Sequence, residues 1–308
     1  MLKKLKYKMY KVDEYDNNLY YFNKIIRPCY YKSYVNIKYL DHCHDCVAMI
    51  KLLTEYKEKY PQTIPSIFLP TTHGTASEVT MWGTTWNMKE EKKYSISHPN
   101  LYPTIAILDG RLTLSLPMDI SITTTMDALS HSFESIWNKK ANDTSTDLAI
   151  SAICSILKNG SALKENPDDL DIRNNLLRAS SVAGLAFSNT TTAAAHSISY
   201  PLTIHHGIPH GVASSISLLP LLDINGKLIK EPLDIICNNN ELTYDELKQT
   251  IKEIPQGVVP YTLDKWGISE DQLPTLADES FTKGRMDNNI VDLTTDDVLG
   301  ILKELYSE

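Results

Sequence analysis

Thr123-Thr124-Thr125-Met126-Asp127-Ala128-Leu129-Ser130-His131 sets a carboxylate and an imidazole four residues apart in a stretch with a helical rhythm. Met126, Leu129, Phe133 and Ile136-Trp137 recur at steps of three and four, the period of one helix face. The threonine run ahead of them reads as a helix start. On such a helix Asp127 and His131 stand one turn apart on one side, where they can share a cation. Taken alone, a pair of this kind is more often an exposed acid and base, so its meaning depends on the rest of the chain.

Two further histidines supply that meaning. His196 follows Ala193-Ala194-Ala195, small residues that let another segment approach closely. His210 lies in Gly207-Ile208-Pro209-His210-Gly211, a rigid turn just before the next helix. A histidine between proline and glycine is poorly placed for core packing and well placed to project into a cleft. His205 and His206 lie nearby, and on spacing alone either could be the ligand instead. One aspartate and three histidines form a mixed oxygen and nitrogen set that suits Fe2+ or Zn2+ and leaves positions open for substrate.

Around this centre the chain changes character along its length. The runs 65–70 and 104–108 are short and apolar, bounded by Pro65 and Pro70 or by Asp109-Gly110, and read as buried strands. After Pro117 the pattern predicts helices, with further ones over 146–158, 172–187, 212–222, 244–254 and 295–306 and a loop-rich stretch at 225–240. The fold expected is an α/β N-terminal segment followed by an all-α domain. A length of 308 residues suits two such domains.

Composition narrows the partners. A net charge of −8 argues against a nucleic-acid partner, which needs a basic face. No stretch approaches the ~18 apolar residues of a membrane span. The basic start lacks the apolar segment of a secretory signal, so the expected location is the cytoplasm. Five cysteines (29, 43, 46, 154 and 237) read as free thiols in a reducing compartment. The cluster Cys29, His42, Cys43, His44 and Cys46 holds one Cys-x-x-Cys and no second pair, a poor match to a zinc site. Residues 1–60 hold 11 of the 17 tyrosines, carry a net +5 against −13 for the remainder, and contain no glycine. Loops that cradle a pyrophosphate rely on glycine for close backbone approach, and the first glycine here is Gly74.

Pro70-Thr71-Thr72-His73-Gly74-Thr75-Ala76-Ser77-Glu78-Val79-Thr80 resembles a motif of the iron-containing alcohol dehydrogenases. The resemblance continues through Lys93 and Pro99, residues 106–109, Leu112-Thr113, Asp127–His131, residues 184–189, His196 and Pro209-His210-Gly211 to Ser280–Arg285, in order over residues 62–306. It implies that Asp127, His131, His196 and His210 hold Fe2+, with Zn2+ as an alternative. It further implies that Thr71, Thr72 and Thr75 contact a nicotinamide cofactor, NAD(P)H, and that Lys93 lies near its ribose. The domains implied are an incomplete Rossmann-like dinucleotide domain over 1–116, atypical in 1–60, and a helical metal-binding catalytic domain over 117–308.

The phrases at 81–84, 95–99, 193–201 and 281–288 are similar to the phosphonoacetaldehyde reductase branch of that family. This implies hydride transfer from NAD(P)H to a small aldehyde bearing a phosphonate, in a cytoplasmic enzyme that could form a homodimer. A phosphonate demands cationic or amide donors, and Lys283, Arg285, His205 and His206 are the candidates. Tyr200, four after His196, occupies the place of a histidine near the nicotinamide and is the candidate proton relay. The family's glycine-rich loop falls on Tyr39–Asp45, where the aspartate and a helix after it, over 47–56, survive and the glycines do not, so the dinucleotide domain is truncated or divergent. The alternative is a non-catalytic metal-binding remnant that has lost cofactor binding.

Overall fold

The computed structural model describes residues 66–87 and 92–307. The divergent 1–60 region, the Tyr39–Asp45 alignment, the helix expected over 47–56 and the Cys29–Cys46 cluster lie outside the described residues. The chain forms two compact units, one of Met1–Ser66 with Trp82–Thr104 and one of Ile67–Met81 with Ile105–Glu308. In the second, strands β1 (Ile67–Phe68) and β4 (Ile105–Ala106) pair in parallel, Ile67 opposite Ile105. In the first, β2 (Trp82–Asn87) and β3 (Lys92–Ser97) form an antiparallel hairpin running from Trp82 opposite Ser97 to Asn87 opposite Lys92. This hairpin has no counterpart in the periodicity of the sequence.

The rest of the second unit is helical, as its sequence pattern requires. Its helices are α1 (Met118–Ile136), α2 (Asp143–Gly160), α3 (Ala162–Glu165), α4 (Leu170–Thr190), α5 (Ala194–His206), α6 (His210–Ser215), α7 (Leu218–Asn225), α8 (Lys230–Asn239), α9 (Tyr244–Glu253), α10 (Leu273–Glu279) and α11 (Thr295–Glu304). Capping boxes start three of them, at Asn142/Ser145, Thr243/Glu246 and Thr294/Asp297. Two expectations fail here. Residues 225–240 are not loop-rich but hold α8, which buries Leu233 and Ile236 three apart. The asparagines at its end hid that short apolar face. Nor do Thr123–Thr125 start a helix: α1 begins behind Pro117, and the threonines lie inside it.

Helix α1 packs between α2, α4 and α6 and is buried along nearly its whole length. So many hydroxyls survive burial there because they bond backward to the helix carbonyls. Thr124 and Thr125 donate to the Ile120 and Ser121 carbonyls at 2.8 Å, and Ser132 and Ser135 do the same one turn back. Phe133 and Trp137 stack at 5.4 Å within the core. At Gly211 the chain of α6 comes so close to α1 that an added Cβ would lie 2.0 Å from the Thr123 carbonyl oxygen. Only glycine permits that crossing, and it carries His210 to the helix that bears Asp127.

The 71–80 loop is seated on the helical unit. Ser181 donates to the buried Glu78 carboxylate at 2.5 Å, and the His73 amide donates to Thr124 Oγ1 at 3.4 Å. Between α4 and α5 the turn is held open at Thr191, whose φ of 66° and ψ of −178° belong to glycine's territory. Three side-chain amide bonds pin it: Asn138 donates to the Thr191 carbonyl at 3.2 Å, and Asn288 donates to Thr191 Oγ1 at 3.0 Å and to the Thr192 carbonyl at 2.9 Å.

Two positions in the loop make its energetics testable. Ala76 sits at φ 48°, ψ 34°, a left-handed conformation that costs an L side chain about 1 kcal/mol or more. Ala76→Gly should therefore raise the unfolding free energy by about 1 kcal/mol in urea titration; a loss would mean that the buried methyl outweighs the strain. His73 has no exposed surface, and burial, with the Arg173 charge, lowers its pKa to about 4 against a smaller opposing effect of the Ser121 backbone. The unfolded chain then binds a proton that the folded chain refuses between pH 6.5 and about 4. Stability should fall as pH drops through that window, by at most about 3 kcal/mol, and His73→Met should flatten the drop when unfolding is measured at pH 7 and pH 4.5.

Candidate metal centre

Three helices meet where the sequence places its ligands. Asp127 comes from the middle of α1, His196 from the first turn of α5 and His210 from the first residue of α6. A ligand atom from each lies within 4.8 Å of the other two. His196 Nε2 is 3.6 Å and His210 Nε2 3.9 Å from Asp127 Oδ1. Ligands about 2.1 Å from a tetrahedral ion stand roughly 3.4 Å apart, so these separations fit one small cation with little adjustment. Asp127 and His196 are buried and His210 is half-buried, which leaves the last as the side open to an incoming group.

The protonation chemistry fits a cation as well. Burial alone would raise the Asp127 carboxyl, but the charges of His131, His210 and His196, close around it, hold it well below the usual range. Ser214 Oγ adds a bond to Asp127 Oδ1 at 2.9 Å. His196 is opposed by burial but raised to about 9 by the Glu134 and Asp127 carboxylates. Its Nδ1 lies 2.6 Å from Glu134 Oε2, while its buried Nε2 makes no hydrogen bond. An acidic oxygen and an imidazole nitrogen aimed at one point, each favouring positive charge there, are what a divalent cation requires. His131 stands beside the trio, its ring stacked between Phe187 at 4.2 Å and His196 at 4.5 Å.

Residues 121–306 match the family model "Fe-containing alcohol dehydrogenase family, C-terminal", and residues 38–110 match "Iron-containing alcohol dehydrogenase". The chain belongs to the iron-containing alcohol dehydrogenase family. It is 30% identical over 71% of its length to an NADPH-dependent butanol dehydrogenase of Clostridium saccharobutylicum. It is 31% identical over 79% of its length to a long-chain-alcohol dehydrogenase of Geobacillus thermodenitrificans. The matches cover 60% and 64% of those relatives, so the chain spans less than two thirds of their length. Among solved structures it resembles the sulfoacetaldehyde reductase of Bifidobacterium kashiwanohense in complex with NAD+, with a TM-score of 0.72 and 31% identity over 80% of this chain and 66% of that one. The phosphonoacetaldehyde reductase branch does not figure among these relatives.

An iron-containing alcohol dehydrogenase implies a divalent metal and a nicotinamide cofactor, and Asp127, His196 and His210 fit the metal. Thr71, Thr72 and Thr75 are half-buried in the loop on the helical unit. Lys93 lies in β3, opposite Trp86, in the other unit. Tyr200 is on α5 one turn beyond His196, and Arg285 Nε donates to its hydroxyl at 3.3 Å across 85 residues. Lys283 is exposed. His205 is engaged with Glu279 at 3.0 Å, and His206 beside it is half-buried, its pKa lowered by burial and by the His205 charge. Sequence reasoning passed over Ser214 and Glu134. Glu134 could have been found, since it follows Asp127 by seven residues and so shares its helix face.

Changing Asp127 to Asn should weaken zinc binding to the metal-free chain by more than about tenfold, read by calorimetric titration, because the site loses its anionic oxygen. The comparison with His131→Ala is informative. A loss as large as that of His210→Ala would make His131 a fourth ligand; a small one would leave it a packing neighbour of His196.

Proposed function

We propose that the chain is a metal-dependent reductase that converts a small aldehyde bearing an anionic group, phosphonoacetaldehyde above all, to the alcohol with NAD(P)H. The observation that carries this reading is the convergence of Asp127, His196 and His210 from three helices on one point. Bound there, Fe2+ or Zn2+ would supply Lewis-acid stabilisation of the developing alkoxide, with the hydride coming from NAD(P)H. Asp127 offsets part of the ion's charge. His131 is proposed as a further ligand, on the resemblance and on its place one turn from Asp127. Thr71, Thr72, Thr75 and Lys93 are proposed to hold the cofactor.

Tyr200 and Arg285 belong to the substrate side of the same reading. Tyr200 lies one turn beyond His196, and its Oη would hold the proton that the alkoxide takes up. Arg285 is half-buried and tied to that hydroxyl, and its guanidinium is proposed to pair with a phosphonate, with Lys283 and His206 as further cationic candidates. The name of the Bifidobacterium relative, a reductase of a sulfonated aldehyde, supports an anionic substrate class. Arg285→Gln should raise KM for phosphonoacetaldehyde about tenfold or more while leaving KM for acetaldehyde nearly unchanged. Equal effects on both would remove the anion-binding role.

A second reading is a metal-binding chain without turnover, favoured by the glycine-free first 60 residues. A fluorescence titration with NADH and NADPH separates the two. Saturable micromolar binding supports the reductase; no binding at millimolar cofactor supports the remnant.

A further inference from the structure

Glu134 has no exposed surface, yet it is a carboxylate in the core of the helical unit. Both of its oxygens bond to His196. Oε2 lies 2.6 Å from His196 Nδ1, and Oε1 accepts the His196 backbone N–H at 3.0 Å. Ala193, the residue just ahead of α5, has only a methyl and cannot cap the helix, so Glu134 performs that task from α1 and adds negative charge at the positive end of the helix. An ionised carboxylate accepts hydrogen bonds and donates none, so the proton of the imidazole must sit on Nδ1. In the neutral ring that a cation would bind, the lone pair is then on Nε2, the atom 3.6 Å from Asp127 Oδ1.

Resting on the metal-centre reading, we infer that Glu134 is the positioning residue that fixes the tautomer and pose of His196 and, together with Asp127, makes the centre neutral around a divalent ion. Asp127 and Glu134 carry one negative charge each, and a doubly charged cation balances both. With glutamine at 134 the loaded site would keep an uncompensated positive charge in a buried place. Glutamine also offers one acceptor oxygen where His196 presents two donors, so its amide NH2 would face an N–H. A carboxylate that merely caps α5 would matter for the stability of the fold and not for the ion. That difference is measurable.

The test is calorimetric titration of zinc into the metal-free full-length chain, alongside its metal-free thermal midpoint. Glu134→Gln should weaken zinc binding about 10- to 100-fold, the range expected for an outer-shell carboxylate. In a His196→Ala background the same substitution should weaken zinc binding far less, leaving only the effect of the lost charge. Unchanged zinc affinity in Glu134→Gln overturns the assignment, as does a loss of equal size in the His196→Ala background. Should Glu134→Gln not fold, imidazole 15N spectra of the zinc-loaded wild type decide: Nδ1 protonated and Nε2 on zinc is the expected result, and the reverse overturns it. A wild type that binds no zinc overturns the metal centre itself, whereas a zinc-binding wild type with an unaffected variant overturns only the role of Glu134.

Discussion

An imidazole held between two buried carboxylates is the arrangement on which the helical unit depends. His196 has Glu134 on one side at 2.6 Å and Asp127 on the other at 3.6 Å, and all three are withdrawn from water. Buried charges of one sign are costly unless a counter-charge stands among them. The rest of the unit can be read as what is needed to bring that counter-charge within reach. Helix α1 carries both acids on one face, α5 brings the histidine between them, and α6 closes the remaining side.

The closeness of the helices follows from small side chains rather than from large ones. Gly211 lets α6 meet the backbone of α1, and Gly184 lets α4 meet the loop at Ala76, where an added Cβ would come within 2.2 Å of the alanine methyl. A unit built this way carries its polar residues inside, because helices in backbone contact offer carbonyls for hydroxyls to bond. Ser130, for instance, donates to the Ser214 carbonyl at 2.6 Å and so joins α1 to α6 just beside the centre.

The place of Asp127 on a helix face, and the awkward setting of His210 between proline and glycine, pointed to two members of the centre, and the family resemblance supplied the rest of the set. The apolar rhythm of α1 was legible too. Helix α5 was not legible, since Ala193 offers no cap, Pro201 stands inside it, and its start is fixed by a carboxylate 62 residues away. The threonines of α1 misled because their hydroxyls serve at a helix start and equally well inside a buried helix. The Arg285–Tyr200 bond spans 85 residues and leaves no local trace; both residues were singled out separately, and only the fold joins them.

The turn at Thr191 has a further meaning. A β-branched residue holding a glycine-like backbone, fastened by Asn138 and Asn288, gives the chain entering α5 little freedom to relax. The imidazole that follows is thereby set in place by the polypeptide before an ion arrives. An ion entering such a ready-made cage has little ordering entropy left to overcome.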